Sequence, residues 1–169
     1  MTEQTLGEIF LKELEAEESA TRKCLEKIPI DKMYDWKPHE KSMKMGDLSF
    51  TIADIPRWMV FILKEGEIDF ASFEQIKINT TKDLVKHFEK NCLELKKLLK
   101  KVEDEDLNEV FLLKNEGQTL DTSSKRESIS SSINHLVHHR GQLSVYMRLN
   151  GIPVPSIYGP SADENPWKN

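Results

Sequence analysis

Four stretches of the chain carry apolar residues at steps of three and four, and this spacing limits more than any other feature what the chain can fold into. In the first, Leu6, Phe10, Leu14, Thr21, Cys24, Leu25 and Ile28 recur between charged residues, up to "KIPIDKMYDW", where Pro29 removes an amide donor. The second, "MGDLSFTIADIPRWMVFILKEG" at 45–66, has Leu48, Ile52, Ile55, Met59 and Ile62 as its stripe. Ser42 or Gly46 marks its start, Pro56 predicts a bend inside it, and Gly66 is its stop. The third begins near Asn79 or Thr80 and points Leu84, Phe88, Cys92, Leu95 and Leu99 inward. The fourth opens at Ser124, which has the spacing of a capping box to Glu127, and runs to Asn150–Gly151. Between 103 and 123 the period breaks, and "EVFLLKNEGQTL" reads as two short extended pieces around the turn-like Asn115–Glu116–Gly117. The expectation is a single all-α domain over 1–169, a four-helix bundle, with the proline-rich tail from Ile152 packed along it.

Composition narrows the partners. A chain of 169 residues with a net charge of −5 lacks the clustered positive face that phosphate backbones require, so nucleic acid is excluded. The one lysine-rich run, "LELKKLLKK" at 93–101, is followed by "EDED" and reads as a solvated helix end. No apolar run approaches the roughly 20 residues that span a bilayer, and the acidic start "MTEQTLGEIFLKELEAEE" has no signal-peptide pattern. No membrane partner and a cytoplasmic location are expected. Cys24 and Cys92 are too far apart for a CxxC motif and read as buried thiols.

The chemistry-bearing stretch is "NHLVHHRGQLSVY" at 134–146. On a helix, His135, His139, Gln142 and Tyr146 fall in one narrow stripe, opposite Ile133, Leu136, Val137, Leu143 and Met147. A stripe of rings and amides suits a cavity wall better than plain solvent. Two histidines at i and i+4 form a natural pair of metal ligands, but a useful site requires a third His, Asp, Glu or Cys from another helix. Spacing alone leaves the metal pair and a hydrogen-bonded structural pair both open. His138 lies off the stripe, at an interhelical edge. His87, flanked by Lys86, reads as surface, and His39 as an exposed loop residue. Asp47 and Asp54 are the available carboxylates on the second helix, the first also readable as a first-turn cap and the second as a surface charge. Arg140 and Arg148 read as structural ion-pair partners, with acids of the first helix as candidates. Trp36, Trp58 and Trp167 read as packing anchors.

"DWKPHEKSMKMGDLSFTIADIPRW" followed some eighty residues later by "NHLVHHRGQLSVYMRLNGIPVPSIYGPSADE" resembles the DinB/YfiT-like family over nearly the whole chain. The resemblance implies an up-down-down-up four-helix bundle, often dimeric, with a divalent metal such as zinc or nickel held by three histidines. Two of these, from an H-x-x-x-H-R-G-Q motif, map onto His135 and His139. The third, from a stretch like G-E-L-x-x-H-I-A, maps onto Thr51 in Gly46–Ala53. A threonine hydroxyl is a weak neutral donor, so a weakened metal is expected, with Asp54 as a carboxylate on roughly the same face as Thr51. Two functions follow from the resemblance. One is a metal-dependent hydrolase or thiol S-transferase with a degenerate site, in which Gln142, Tyr146 and Asp54 line the cavity. The other is a non-catalytic bundle, likewise a homodimer, that has lost its metal and binds a small molecule or a partner chain.

Overall fold

The structure, a computed structural model, describes residues 4–74 and 76–167. Helix α1 (Leu6–Glu26) starts where Thr5 accepts the Glu8 amide and the Glu8 carboxylate accepts the Thr5 amide, so two orphan donors are satisfied by one pair. A one-turn helix, α2 (Ile30–Met33), leads to α3 (Met45–Glu65), which runs without interruption through Pro56 and stops at Gly66 in the left-handed conformation, φ 71°. Helix α4 (Thr81–Leu99) is capped by the Thr80 hydroxyl, and α5 is another single turn at Asp104–Leu107. The longest helix, α6 (Lys125–Leu149), opens on the Ser124–Glu127 capping box and ends at Asn150, with Gly151 at φ 67°.

Cross-helix pairs fix the directions. Arg22 to Glu89 and Lys96 to Glu18 make α1 and α4 antiparallel. Asp54 to His87 and Lys64 to Glu94 make α3 and α4 parallel. Trp58 against His135, and Lys125 reaching the Leu63 carbonyl, make α6 antiparallel to α3. In chain order the long helices therefore run up, down, down, up, with α1 and α3 each packed between α4 and α6.

The protein is not all-α, which corrects the expected class. Three strands form a mixed sheet in the order β1 (Glu67–Asp69), β2 (Val110–Asn115), β3 (Gln118–Ser124). The reading of two extended pieces at 103–123 was thus the visible edge of a whole sheet. β2 and β3 pair antiparallel through a two-residue turn, Glu116–Gly117, whose φ values of 50° and 76° match the twist of a hairpin. β1 joins β2 in parallel because Gly66 turns the chain straight out of α3 alongside it. Asp69 secures the junction: its carboxylate accepts the amides of Ala71, Glu116 and Gly117. These backbone amides, Ala71 first, hold its pKa below the ordinary aspartate value. One hydrophobic cluster runs from Phe10 and Leu25 through Ile52, Met59, Phe88 and Leu143 to Phe111 of the sheet and Val154 of the tail.

The tail after α6 is fastened by charge. Asp163 accepts Arg148 at 2.6 Å and the Val154 amide at 2.9 Å, while Glu164 accepts Lys23 and the Ser156 amide, both at 3.0 Å. Both carboxyls are held below their ordinary values, by Arg148 and Lys23 first. A depressed folded pKa contributes stability above the unfolded value, and that contribution fades as pH falls below about 4.5 toward the lower folded value. The tail is therefore expected to loosen in acid while the bundle persists. Loss of Val154 and Ser156 amide protection between pH 5 and 3, ahead of core amides, is the readout; simultaneous loss would contradict it.

Candidate functional site

The first turn of α3 is seated by a missing side chain. A Cβ on Gly46 would lie 2.1 Å from the Tyr34 ring, and the Gly46 amide donates to the Tyr34 carbonyl at 2.9 Å. Tyr34 in turn donates to the Asp47 carboxylate at 2.7 Å, and that bond, with burial, pushes its pKa up to about 12. The α3–α6 interface then brings Met43 against Tyr146, whose hydroxyl donates to the Met43 carbonyl at 3.2 Å, and Trp58 against His135, ring centres 6.0 Å apart. Along the antiparallel helices, Thr51 lies between Met43 and Trp58, and residues 139–142 between their partners His135 and Tyr146.

The two histidines meet. His135 Nε2 and His139 Nε2 are 2.6 Å apart, and His139 Nδ1 is 2.8 Å from Gln142 Oε1. Because an amide oxygen only accepts, His139 carries its proton on Nδ1 and presents a bare Nε2 to the His135 Nε2–H. The order of donation is His135 to His139 to Gln142. His135 is kept below its ordinary pKa by burial first and by the proximity of His139 and His138 second, so its ring favours the neutral form.

This donor set does not fit a three-ligand metal. Two imidazole nitrogens on one tetrahedral zinc sit about 3.3 Å apart with both lone pairs aimed at the ion. Here they share a proton at hydrogen-bond distance. Thr51 is half-buried, and its hydroxyl donates to the Asp47 carbonyl of its own helix at 2.9 Å. Among the described residues no three His, Cys, Asp or Glu side chains converge as a metal-holding group.

Asp54 faces α4. It is 3% exposed and meets Arg57 Nε at 2.9 Å, the Trp58 indole N–H at 3.0 Å and His87 Nε2 at 2.7 Å. His87 is therefore no surface residue, contrary to its sequence reading: one step off the apolar stripe still points it at the carboxylate of the neighbouring helix. Asp54 is a buried ion-pair centre rather than a surface charge. Gln142 is exposed and Tyr146 half-buried. Arg140, 1% exposed, donates to the Glu17 carboxylate and carbonyl, to Thr21 and to Tyr158, tying α6 to α1 and the tail. Cys24 and Cys92 are buried, and burial raises both thiol pKa values, Cys24 to about 11, leaving neither as a nucleophile. Trp36 packs edge-on against Tyr146, whereas Trp167 is 74% exposed.

His135 also borders a cavity of about 470 Å³ that periodicity could not reveal, since the sheet forms one of its walls. Trp58 and Ile62 of α3, Ser128, Ser131 and Ser132 of α6, and Phe111, Leu113 and Asp121 of the sheet surround it. A second cavity of about 490 Å³ lies on the other flank of α3, beside Tyr34, Asp47 and Phe50, with no imidazole. No helix among the described residues is long and apolar enough to cross a membrane.

Comparison with known proteins follows the same outline. Crystal structures of two DinB-like proteins share the fold. One, from Bacillus subtilis (YjoA), has a TM-score of 0.65 at 22% identity, covering 85% of this chain and 94% of that one. The other, from Bacillus cereus ATCC 10987, has a TM-score of 0.64 at 22% identity, covering 88% of this chain and 95% of that one. The uncharacterized protein YrdA of Bacillus subtilis (strain 168) is 56% identical over 32 residues, a stretch spanning 19% of either chain. The model of the DinB family matches residues 1–168, essentially the full length, and the chain belongs to the DinB family.

Proposed function

We propose that this chain is a ligand-binding DinB-family bundle that works without a resident metal, taking a small organic molecule into the cavity bordered by His135. The observation that carries the reading is the donor set: two hydrogen-bonded imidazoles and, at the position where the family resemblance implies a third, a threonine whose hydroxyl donates to its own helix. What remains is a hydrogen-bonded histidine pair of which His135 borders an apolar pocket, an arrangement suited to orienting a ligand.

The competing reading is a metal-dependent hydrolase or thiol S-transferase, in which an ion lowers the pKa of a bound water or thiol. Elemental analysis of protein purified without added metal separates the two. Transition metal well below one equivalent, with no saturable zinc binding by calorimetry in the micromolar range, is expected. Stoichiometric metal removed by His139→Ala would overturn the proposal in favour of the enzyme.

A further inference from the structure

The lining of that cavity is one-sided in charge. Strand register explains how. Residues two apart on a strand share a face, so Phe111 and Leu113 both point toward α3 and α6. Their partners across the hairpin are Ser123 and Asp121, which puts a carboxylate on the face that alternation reserves for apolar side chains. The first turn of α6 adds Glu127, whose Oε2 accepts the Ser124 amide and hydroxyl. Among the described residues no lysine or arginine lines the space. Along α6, Lys125 is turned away to Glu109 and the Leu63 carbonyl, and Arg126, beside Glu127, is exposed and is not part of the lining.

The opposite wall is aromatic and fixed. Trp58 is pinned by its indole N–H to Asp54 and stands 5.9 Å from Phe70 and 6.0 Å from His135, centre to centre. A ring face in this setting attracts a cation. The Ser132 hydroxyl donates its proton to the Ser128 carbonyl, leaving its oxygen as an acceptor, while the Ser128 hydroxyl bonds the Ser124 carbonyl and the Ser123 hydroxyl.

From this placement we infer that the cavity binds an organic cation, a primary amine on an aryl or alkyl body, with the apolar part against Trp58 and Phe111 and the ammonium at Asp121 and Glu127. The inference rests on the ligand-binding reading above and adds to it the ligand's charge class. An anion of the same shape meets two carboxylates and no basic side chain among the described lining residues; a neutral analogue keeps the apolar contact alone.

The test is a titration of the full chain with 2-phenylethylamine, 2-phenylethanol and 3-phenylpropionate, following the Trp58 indole N–H resonance by NMR. The amine is expected to bind about fivefold or more tighter than the alcohol, with the carboxylate weakest, and the amine's advantage shrinks as salt rises. Asp121→Asn, on an exposed rim position, brings the amine toward the alcohol without changing the alcohol; Asp121→Lys inverts the order. Equal binding of all three, or an amine affinity indifferent to Asp121→Asn, overturns the charge class while leaving the ligand-binding reading intact. No shift of the Trp58 resonance with any of the three overturns both.

Discussion

Thr51→His converts this protein into a tight zinc binder. Thr51 lies between Met43 and Trp58, whose partners Tyr146 and His135 flank the 139–142 turn, and an imidazole at position 51 is expected to enter the space next to the two existing rings. The three together form the facial set that holds a tetrahedral ion with one position open. Accommodation is small: the His135 and His139 nitrogens separate by less than about 1 Å to reach the spacing of ligands on zinc. To ligate, His135 moves its proton from Nε2 to Nδ1 with no net release, and since only neutral imidazole binds metal, the affinity falls as acid protonates the rings. Losing a mere outer-shell partner costs a metal site about ten- to a hundredfold, so gaining a direct ligand raises zinc affinity by at least about a hundredfold. Isothermal calorimetry of wild type, Thr51→His and Thr51→His with His139→Ala measures it. An affinity unchanged by the first substitution would mean that residue 51 does not face the pair. An affinity unchanged by adding His139→Ala would mean that the new histidine binds zinc elsewhere.

The parts legible in sequence are those with local causes. Ser124 and Glu127 announce a helix start because a capping box is closed within three residues, and Gly66 announces a stop because only a left-handed residue ends α3 there. His135 and His139 are legible as a pair because four residues make about one helical turn. Arg140 was readable as an ion-pair partner of the first helix, and Glu17 is that partner; Arg148 instead pairs with Asp163 in the tail.

The illegible parts have non-local causes. β1 is three residues long, too short to display a period of two, and β3, "QTLDTSS", is exposed or half-exposed throughout, so no alternation marks it. The sheet exists because of the β1–β2 pairing across more than forty residues. The same holds for Asp54 and His87: each looks like a surface residue within its own helix, and only the side-by-side register of α3 and α4 makes them partners. Periodicity assigns a residue to a face of its helix, whereas the identity of the facing element decides whether that face is wet. The cavity was invisible for both reasons, since its walls come from two helices and the unseen sheet.

The Asp54 cluster is the place where a single atom group most affects both stability and the proposed pocket. Asp54→Ala leaves the Arg57 guanidinium in a site 9% exposed with, among the described residues, the Glu74 carbonyl as its remaining hydrogen-bond partner, and strips His87 and the Trp58 indole of their acceptor. Breaking a buried pair from one side costs about 3–5 kcal/mol, because the surviving charge keeps its desolvation penalty and loses its counter-ion. For a chain of this size that lowers Tm by about 10 °C. Asp54→Asn keeps an acceptor for the indole but removes the charge, so it falls between wild type and alanine. If the penalty is the stranded charge, then Arg57→Met added to Asp54→Ala returns part of the loss, since an apolar pair of similar volume has no charge to solvate. A double variant as unstable as the sum of its singles would instead assign the cost to the hydrogen bonds of His87 and Trp58. The two explanations differ at the pocket too. In Asp54→Ala the freed indole no longer holds its ring at the cavity wall, so amine binding weakens even at temperatures where the variant is fully folded. In Asp54→Asn the ring stays pinned, and the affinity stays near that of wild type.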